Sequence, residues 1–87
     1  MMTETREVVI TNSQGLHARP AAVLVEKMKD FDARLSISVG AKTADCSSIM
    51  SVLALGAATG STARLEAEGP EAVAATDAAV AILTSED

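Results

Sequence analysis

Arg34-Leu35-Ser36-Ile37-Ser38-Val39-Gly40-Ala41-Lys42-Thr43-Ala44-Asp45 is the stretch on which the fold turns. Residues 34–39 alternate polar and apolar without a break, the period of a strand with one buried and one wet face. Gly40-Ala41 then offers a two-residue loop with glycine first. Hairpins favour that arrangement, because glycine reaches positive φ with no Cβ penalty. Residues 42–45 return. Strands joined this tightly run antiparallel, and an antiparallel sheet can leave one of its faces in water.

Toward the N-terminus, residues 6–11 are rich in β-branched side chains. They predict a strand with Val8 and Ile10 on one face. Asn12-Ser13-Gln14-Gly15 breaks it. From about residue 18 to 30, Ala21, Leu24, Val25, Met28 and Phe31 recur at helical spacing and mark a core-facing stripe. Toward the C-terminus, Ser47 or Ser48 is a candidate N-cap for a short helix over 49–55, with Gly56 as its stop. Residues 57–61 turn, and 62–68 alternate again with Ala63, Leu65 and Ala67 inward. Gly69-Pro70-Glu71 introduces an Ala-rich helix to about residue 84, packing through Ala72, Ala75, Ala79, Ile82 and Leu83. Residues 85–87 are expected to fray. The order strand, helix, strand, strand, helix, strand, helix predicts an α+β fold over one domain, 1–87. It is a two-layer open-faced sandwich of the split βαβ type, a four-stranded antiparallel sheet with three helices on one face.

A chain of 87 residues that is 48% hydrophobic but only 1% aromatic must build a thin core from Ala, Val, Leu, Ile and Met. Its formal charge of −5 and lack of Trp and Tyr argue against nucleic acid and point to protein partners. No apolar run approaches a membrane span, and no signal pattern opens the chain, so no membrane insertion is expected and the cytoplasm is the expected compartment. Cys46 is the only cysteine and His17 the only histidine. Neither an internal disulfide nor a metal site made by this chain alone is expected.

Gly15-Leu16-His17-Ala18-Arg19-Pro20 places that histidine where a loop becomes a helix. The first amides of a helix lack partners and carry partial positive charge, so a phosphate there gains hydrogen bonds and dipole stabilisation. The donors would be chiefly Ala18 and Arg19, since Pro20 has none to give. The Arg19 guanidinium adds a cationic fork. Neutral imidazole can take a phosphoryl group and hand it on. On the hexapeptide alone, a plain helix cap or half-buried filler is an equally good reading of His17. The short helix has more apolar residues than one buried face needs. With Val52 and Leu55 inward, Ile49, Met50 and Leu53 remain at least partly in water. Together with Ala18 and Ala22 they form a candidate docking patch around His17, the alternative being burial against a neighbouring element.

Residues 15–21, Gly-Leu-His-Ala-Arg-Pro-Ala, and 48–56, Ser-Ile-Met-Ser-Val-Leu-Ala-Leu-Gly, together resemble the histidine-containing phosphocarrier (HPr) family of the bacterial sugar phosphotransferase system. The resemblance runs from about residue 6 to 83. It implies a monomeric relay with no cofactor, a phosphoryl-transfer intermediate with no substrate pocket of its own. Enzyme I, charged from phosphoenolpyruvate, would phosphorylate His17, at Nδ1 in the family. His17 would pass the group to enzyme IIA components for sugar uptake. Arg19 and the amides of Ala18 and Arg19 would hold the charge in transit. The resemblance also makes Ser48 a candidate regulatory phosphorylation site for an HPr kinase/phosphorylase, against a plain capping role. Two departures weigh on that site: Ser47 stands where the family commonly has lysine, and Ser51 where it usually has glycine. A relative serving the nitrogen-regulatory branch, acting on regulatory proteins, is the alternative to a sugar-uptake carrier.

Overall fold

A computed structural model describes residues 2–85. In chain order the elements are β1 (Thr3–Val9), α1 (Ala18–Met28), β2 (Arg34–Val39), β3 (Lys42–Asp45), α2 (Ile49–Ala54), β4 (Thr62–Glu68) and α3 (Ala72–Leu83). The hairpin forms where the alternation puts it, with Val39 opposite Lys42 and Ile37 opposite Ala44. Gly40 has a φ of 61°, and among the described residues every positive φ belongs to a glycine. Positive then negative φ is the sign pattern of a type II′ turn, whose twist suits the flanking strands.

The sheet order is β1-β4-β2-β3 with every pairing antiparallel, so β4 separates the two strands that α1 joins. One cross-strand row on the covered face runs Arg6, Leu65, Ile37, Ala44. Against this face α1 buries Pro20, Ala21, Leu24, Val25 and Met28, α2 buries Val52, and α3 buries Ala72, Ala75, Thr76, Ala79 and Leu83. Each fully buried Leu or Ile contributes about 1.5–3 kcal/mol. The abundant alanines contribute less and let the helices lie close. The opposite face carries Thr, Ser, Arg and Glu and is open to water, as an open-faced sandwich requires. Three helices on one face of a four-stranded antiparallel sheet is the architecture read from the pattern.

Element ends and three packing positions differ from expectation. β1 begins and ends earlier than 6–11 because its inward positions include Glu4 and Arg6. Arg6 bonds both Glu4 (2.8 Å) and Asp77 of α3 (2.5 Å), so a charged pair occupies sites where alternation looks for apolar residues. Ile10 and Thr11 leave the ladder because their amides donate to Ser61 O (2.8 Å) and Leu83 O (3.0 Å). α1 stops at Met28, and the amides of Lys29, Asp30 and Phe31 bond carbonyls three residues back, a tightened exit turn. In α3, Ile82 is only half-buried while Thr76 is fully buried, its hydroxyl donating to Ala72 O at 2.8 Å. Ser85 is fastened rather than frayed, since Asn12 donates to it; residues 86–87 of that expectation lie outside the described residues.

Candidate functional site

Three sets of bonds fix the loop that delivers His17. Thr11 N–H meets α3 at Leu83 O, and the buried Asn12 side chain donates from Nδ2 to Ile82 O (3.0 Å), Ser85 O (3.1 Å) and Ser85 Oγ (3.1 Å). Gly15 N–H closes a turn on Asn12 O at 2.9 Å. Leu16, buried, donates its N–H to Ala57 O at 2.9 Å, joining the loop to the chain that leaves α2. Gly15 is required here twice over. Its φ is +69°, and a Cβ on it would lie 2.5 Å from Ala57 O. Asn12 was legible only as part of a turn, and no local pattern marks the long-range role that its side chain plays.

His17 is the N-cap of α1, with extended backbone (φ −83°, ψ −170°), and its carbonyl accepts the first helical bond from Ala21 N–H at 3.1 Å. Its half-exposed imidazole makes no capping hydrogen bond, so it occupies the cap position without serving as a side-chain cap. Pro20 brings no donor, which leaves the amides of Ala18 and Arg19 as the open donors of the first turn, with the positive end of the helix dipole behind them. No acidic side chain sits in that turn to compete for them. Arg19 is exposed, forms no ion pair among the described residues, and lines a cleft of about 280 Å³ with Pro20, Val23, Ala81, Ile82 and Ser85. The loop-to-helix junction thus offers an unengaged imidazole, two amides and a guanidinium within three consecutive residues.

α2 packs against α1. Val52 and Leu55 point inward as expected, leaving Ile49 and Met50 at 40% and 75% exposure. Leu53 is half-buried and packs on the core, so it borders the patch rather than lying fully on it. Ala18 and Ala22 are exposed on α1. Ser48 is the N-cap of α2, its Oγ accepting from Ser51 N–H at 3.2 Å. It sits at the opposite end of α2 from the Ala57 segment that meets Leu16, about 9 Å of helix away. Ser47, in the place where the resemblance leads one to expect lysine, donates its N–H (2.9 Å) and hydroxyl (2.8 Å) to Asp45 Oδ1, and Ser51 Oγ accepts from Asp45 N–H. These two donors, aided by Arg34, hold the Asp45 carboxyl below the usual carboxylate range.

The one cysteine and the acidic side chains offer no rival to this junction among the described residues. Cys46 is buried, and desolvation pushes its thiol up to about 12, which leaves it inert. Among the described residues there is no His, Cys, Asp and Glu grouping suited to a metal ion, and no helix long and apolar enough to cross a membrane.

Comparison with known proteins matches nearly the whole chain to one family. The family model described as the PTS HPr component phosphorylation site matches residues 4–85. A phosphocarrier protein HPr of Vibrio cholerae is 37% identical over 78 residues, covering 90% of this chain and 92% of that protein. A phosphocarrier protein NPr of Escherichia coli is 39% identical over 85 residues, covering 97% and 94%. The crystal structure of a phosphocarrier protein HPr from Bacillus anthracis superposes with a TM-score of 0.90 at 32% identity, covering 95% of this chain and 99% of that one.

Proposed function

Because this chain belongs to the HPr family of phosphotransferase-system phosphocarriers, we propose that it accepts a phosphoryl group on His17 from enzyme I, charged by phosphoenolpyruvate, and passes it to enzyme IIA components for sugar uptake. The observation that carries this reading is the half-exposed imidazole at the start of α1, which makes no capping bond and stands beside the open amides of Ala18 and Arg19. A lone pair of the ring attacks phosphorus as the donor's bond to it breaks. The charge spread over the three phosphoryl oxygens in that loose transition state is met by the two amides and the Arg19 guanidinium. Donation runs the same step backward toward the next acceptor, with the ring free to take a proton as it leaves. The site is small and open, which suits a carrier, because tight holding of the phosphoryl group would oppose its release.

A second reading, in which the acceptor belongs to the nitrogen-regulatory branch, has support from the NPr relative, aligned over 97% of this chain. The geometry around His17 serves both equally. For Ser48 the capping bond to Ser51 N–H supports a structural role, and the absence of a lysine at 47 removes an attraction for phosphate there. Incubation with enzyme I and phosphoenolpyruvate tests the common claim: the chain gains the mass of one phosphoryl group and His17→Ala does not. Offering the charged protein to a sugar-specific and a nitrogen-branch enzyme IIA then separates the branches by which one is phosphorylated faster.

A further inference from the structure

β1 is an outer strand, and among the described residues no strand lies beyond it. Ile10 N–H bonds Ser61 O and Gly69 N–H bonds Met2 O, which fixes the phase of its ladder. Even-numbered residues bond β4, so the N–H and C=O groups of Thr3, Thr5, Glu7 and Val9 point outward with no strand to meet them. The sheet's other edge, β3, is only four residues long, a common guard against unwanted pairing, whereas β1 runs for seven. Beside the β1 edge, Met2, Val9 and Val73 of α3 are 56%, 48% and 42% exposed. Val73 and the half-buried Val80 lie one turn either side of Asp77, the residue that reaches Arg6, so this flank of α3 stands over β1.

We propose that this edge pairs with the same edge of a second copy of the chain, joining two four-stranded sheets into one of eight strands about a two-fold axis at Thr5. Charge selects the register. Antiparallel pairings that use most of the strand are centred on Glu4, Thr5, Arg6 or Glu7. Centred on Glu4, Arg6 or Glu7, the pairing sets that charge against its own kind. Centred on Thr5, it sets Glu4 against the partner's Arg6 and Arg6 against the partner's Glu4. That square of alternating sign extends the Arg6–Glu4 bond that each chain already makes at 2.8 Å. Thr3 then meets the partner's Glu7 and Met2 the partner's Val8, and the outward backbone groups of Thr3, Thr5 and Glu7 all find donors and acceptors. Charges on an edge ordinarily deter pairing, and here they deter three of these registers and favour the fourth. On the covered side the two α3 flanks, with Val73 and Val80, come to lie side by side. α2 packs on β3 at the opposite edge and stays uncovered. The pairing departs from the single-chain carrier that the family resemblance implies.

The test is sedimentation of the full chain, with amide hydrogen exchange followed residue by residue. Between about 0.01 and 1 mM the mean mass should rise from one chain toward two, and exchange at Thr5 and Glu7 should slow with concentration while that at Ala18 does not. Glu4→Arg and Arg6→Glu should each weaken the pairing roughly tenfold or more, because each sets like charges across the axis. An equimolar mixture of the two variants should pair as tightly as the parent, since every charge then meets its opposite in the other chain. Arg6→Glu also loses the bond to Asp77, so melting curves check that it folds. Thr5→Pro removes only an outward N–H and should stay a single chain, which supplies a second variant that does not disturb Asp77. A parent that remains one chain at about 1 mM overturns the proposal. So does a mixture no tighter than its folded components, or a Thr5→Pro variant that associates like the parent. Association that leaves Thr5 and Glu7 exchanging freely overturns it too, by placing the contact on another face.

Discussion

Asn12 Nδ2 lies 3.0 Å from the carbonyl oxygen of Ile82, so the loop that leads into α1 is tied to the last turn of α3, seventy residues later in the chain. The same nitrogen reaches Ser85 O and Oγ, and Ser85 in turn donates its hydroxyl to Ile82 O at 2.9 Å, so the loop and the end of α3 share one small hydrogen-bond network. Asn12→Ala is expected to lose about 1–3 kcal/mol of stability, because the bonds of a fully buried polar side chain are lost with it. Urea unfolding midpoints measure it. A midpoint equal to the parent's would mean that solvent replaces the tie without loss.

His17→Ala should abolish phosphoryl acceptance while leaving the fold unchanged. The ring is half-exposed and makes no capping bond, so its removal is expected to shift stability by no more than about 0.5 kcal/mol. Mass spectrometry after incubation with enzyme I and phosphoenolpyruvate reads the first effect and thermal melting the second. Retained acceptance would place the phosphoryl group on another residue.

For Arg19→Ala the expectation is slower acceptance and slower donation, with neither stopped. One charge-assisted contact to the transferring group is worth about 1–3 kcal/mol, and the two backbone amides remain. Single-turnover rates in both directions decide the matter. Rates equal to the parent's would mean that the guanidinium does not touch the phosphoryl group.

Gly15→Ala and Gly40→Ala form a matched pair. Both positions have φ near +60 to +70°, but a Cβ at Gly40 meets open space, whereas at Gly15 it meets Ala57 O at 2.5 Å and Ala58 Cα at 2.9 Å. Gly40→Ala should cost about 1–2 kcal/mol through backbone conformation alone. Gly15→Ala should cost about 3 kcal/mol or more and should also slow acceptance, since the displaced backbone carries Leu16 and His17. Equal losses in the two variants would show that the Ala57 segment yields freely.

Acid should act partly through Asp45. Its carboxyl is held below its ordinary value of 3.8 by the Ser47 amide first, then the Ser47 hydroxyl, then Arg34. A folded-state value depressed in this way stabilises the protein above the unfolded value and loses that contribution as pH falls through the folded one. Below about pH 4 the parent should therefore lose stability more steeply than Asp45→Asn. Urea midpoints taken from pH 6 downward test this, and parallel curves would count against it.

The hairpin, β4 and the inward pair on α2 were legible because each rests on a local rule: strict alternation, a Gly-first turn, a serine cap before an apolar run. β1 was misplaced because Glu4 and Arg6 hold inward positions, made tolerable by Asp77, which no window around residue 6 contains. Thr76 escaped notice for the same kind of reason, since its hydroxyl is satisfied by Ala72 and can then be buried. At the site, the loop, the cap position and the open amides followed from residues 15–20. What fastens that loop did not, because Asn12–Ile82 and Leu16–Ala57 join parts of the chain far apart in sequence and only the finished fold pairs them.

β4 lies between β1 and β2 although it is the last of the four strands in the chain. During synthesis the first two-thirds of the polypeptide therefore has no continuous sheet to form, and β1 waits unpaired until Glu68 has emerged. Thr11 and Asn12 wait longer, because their anchors lie at Ile82, Leu83 and Ser85. A copy that stops short of α3 lacks the carbonyls to which Thr11 N–H and Asn12 Nδ2 donate, so the loop before His17 loses those ties. The ties around the loop that delivers His17 are thus complete only once the last helix has been made.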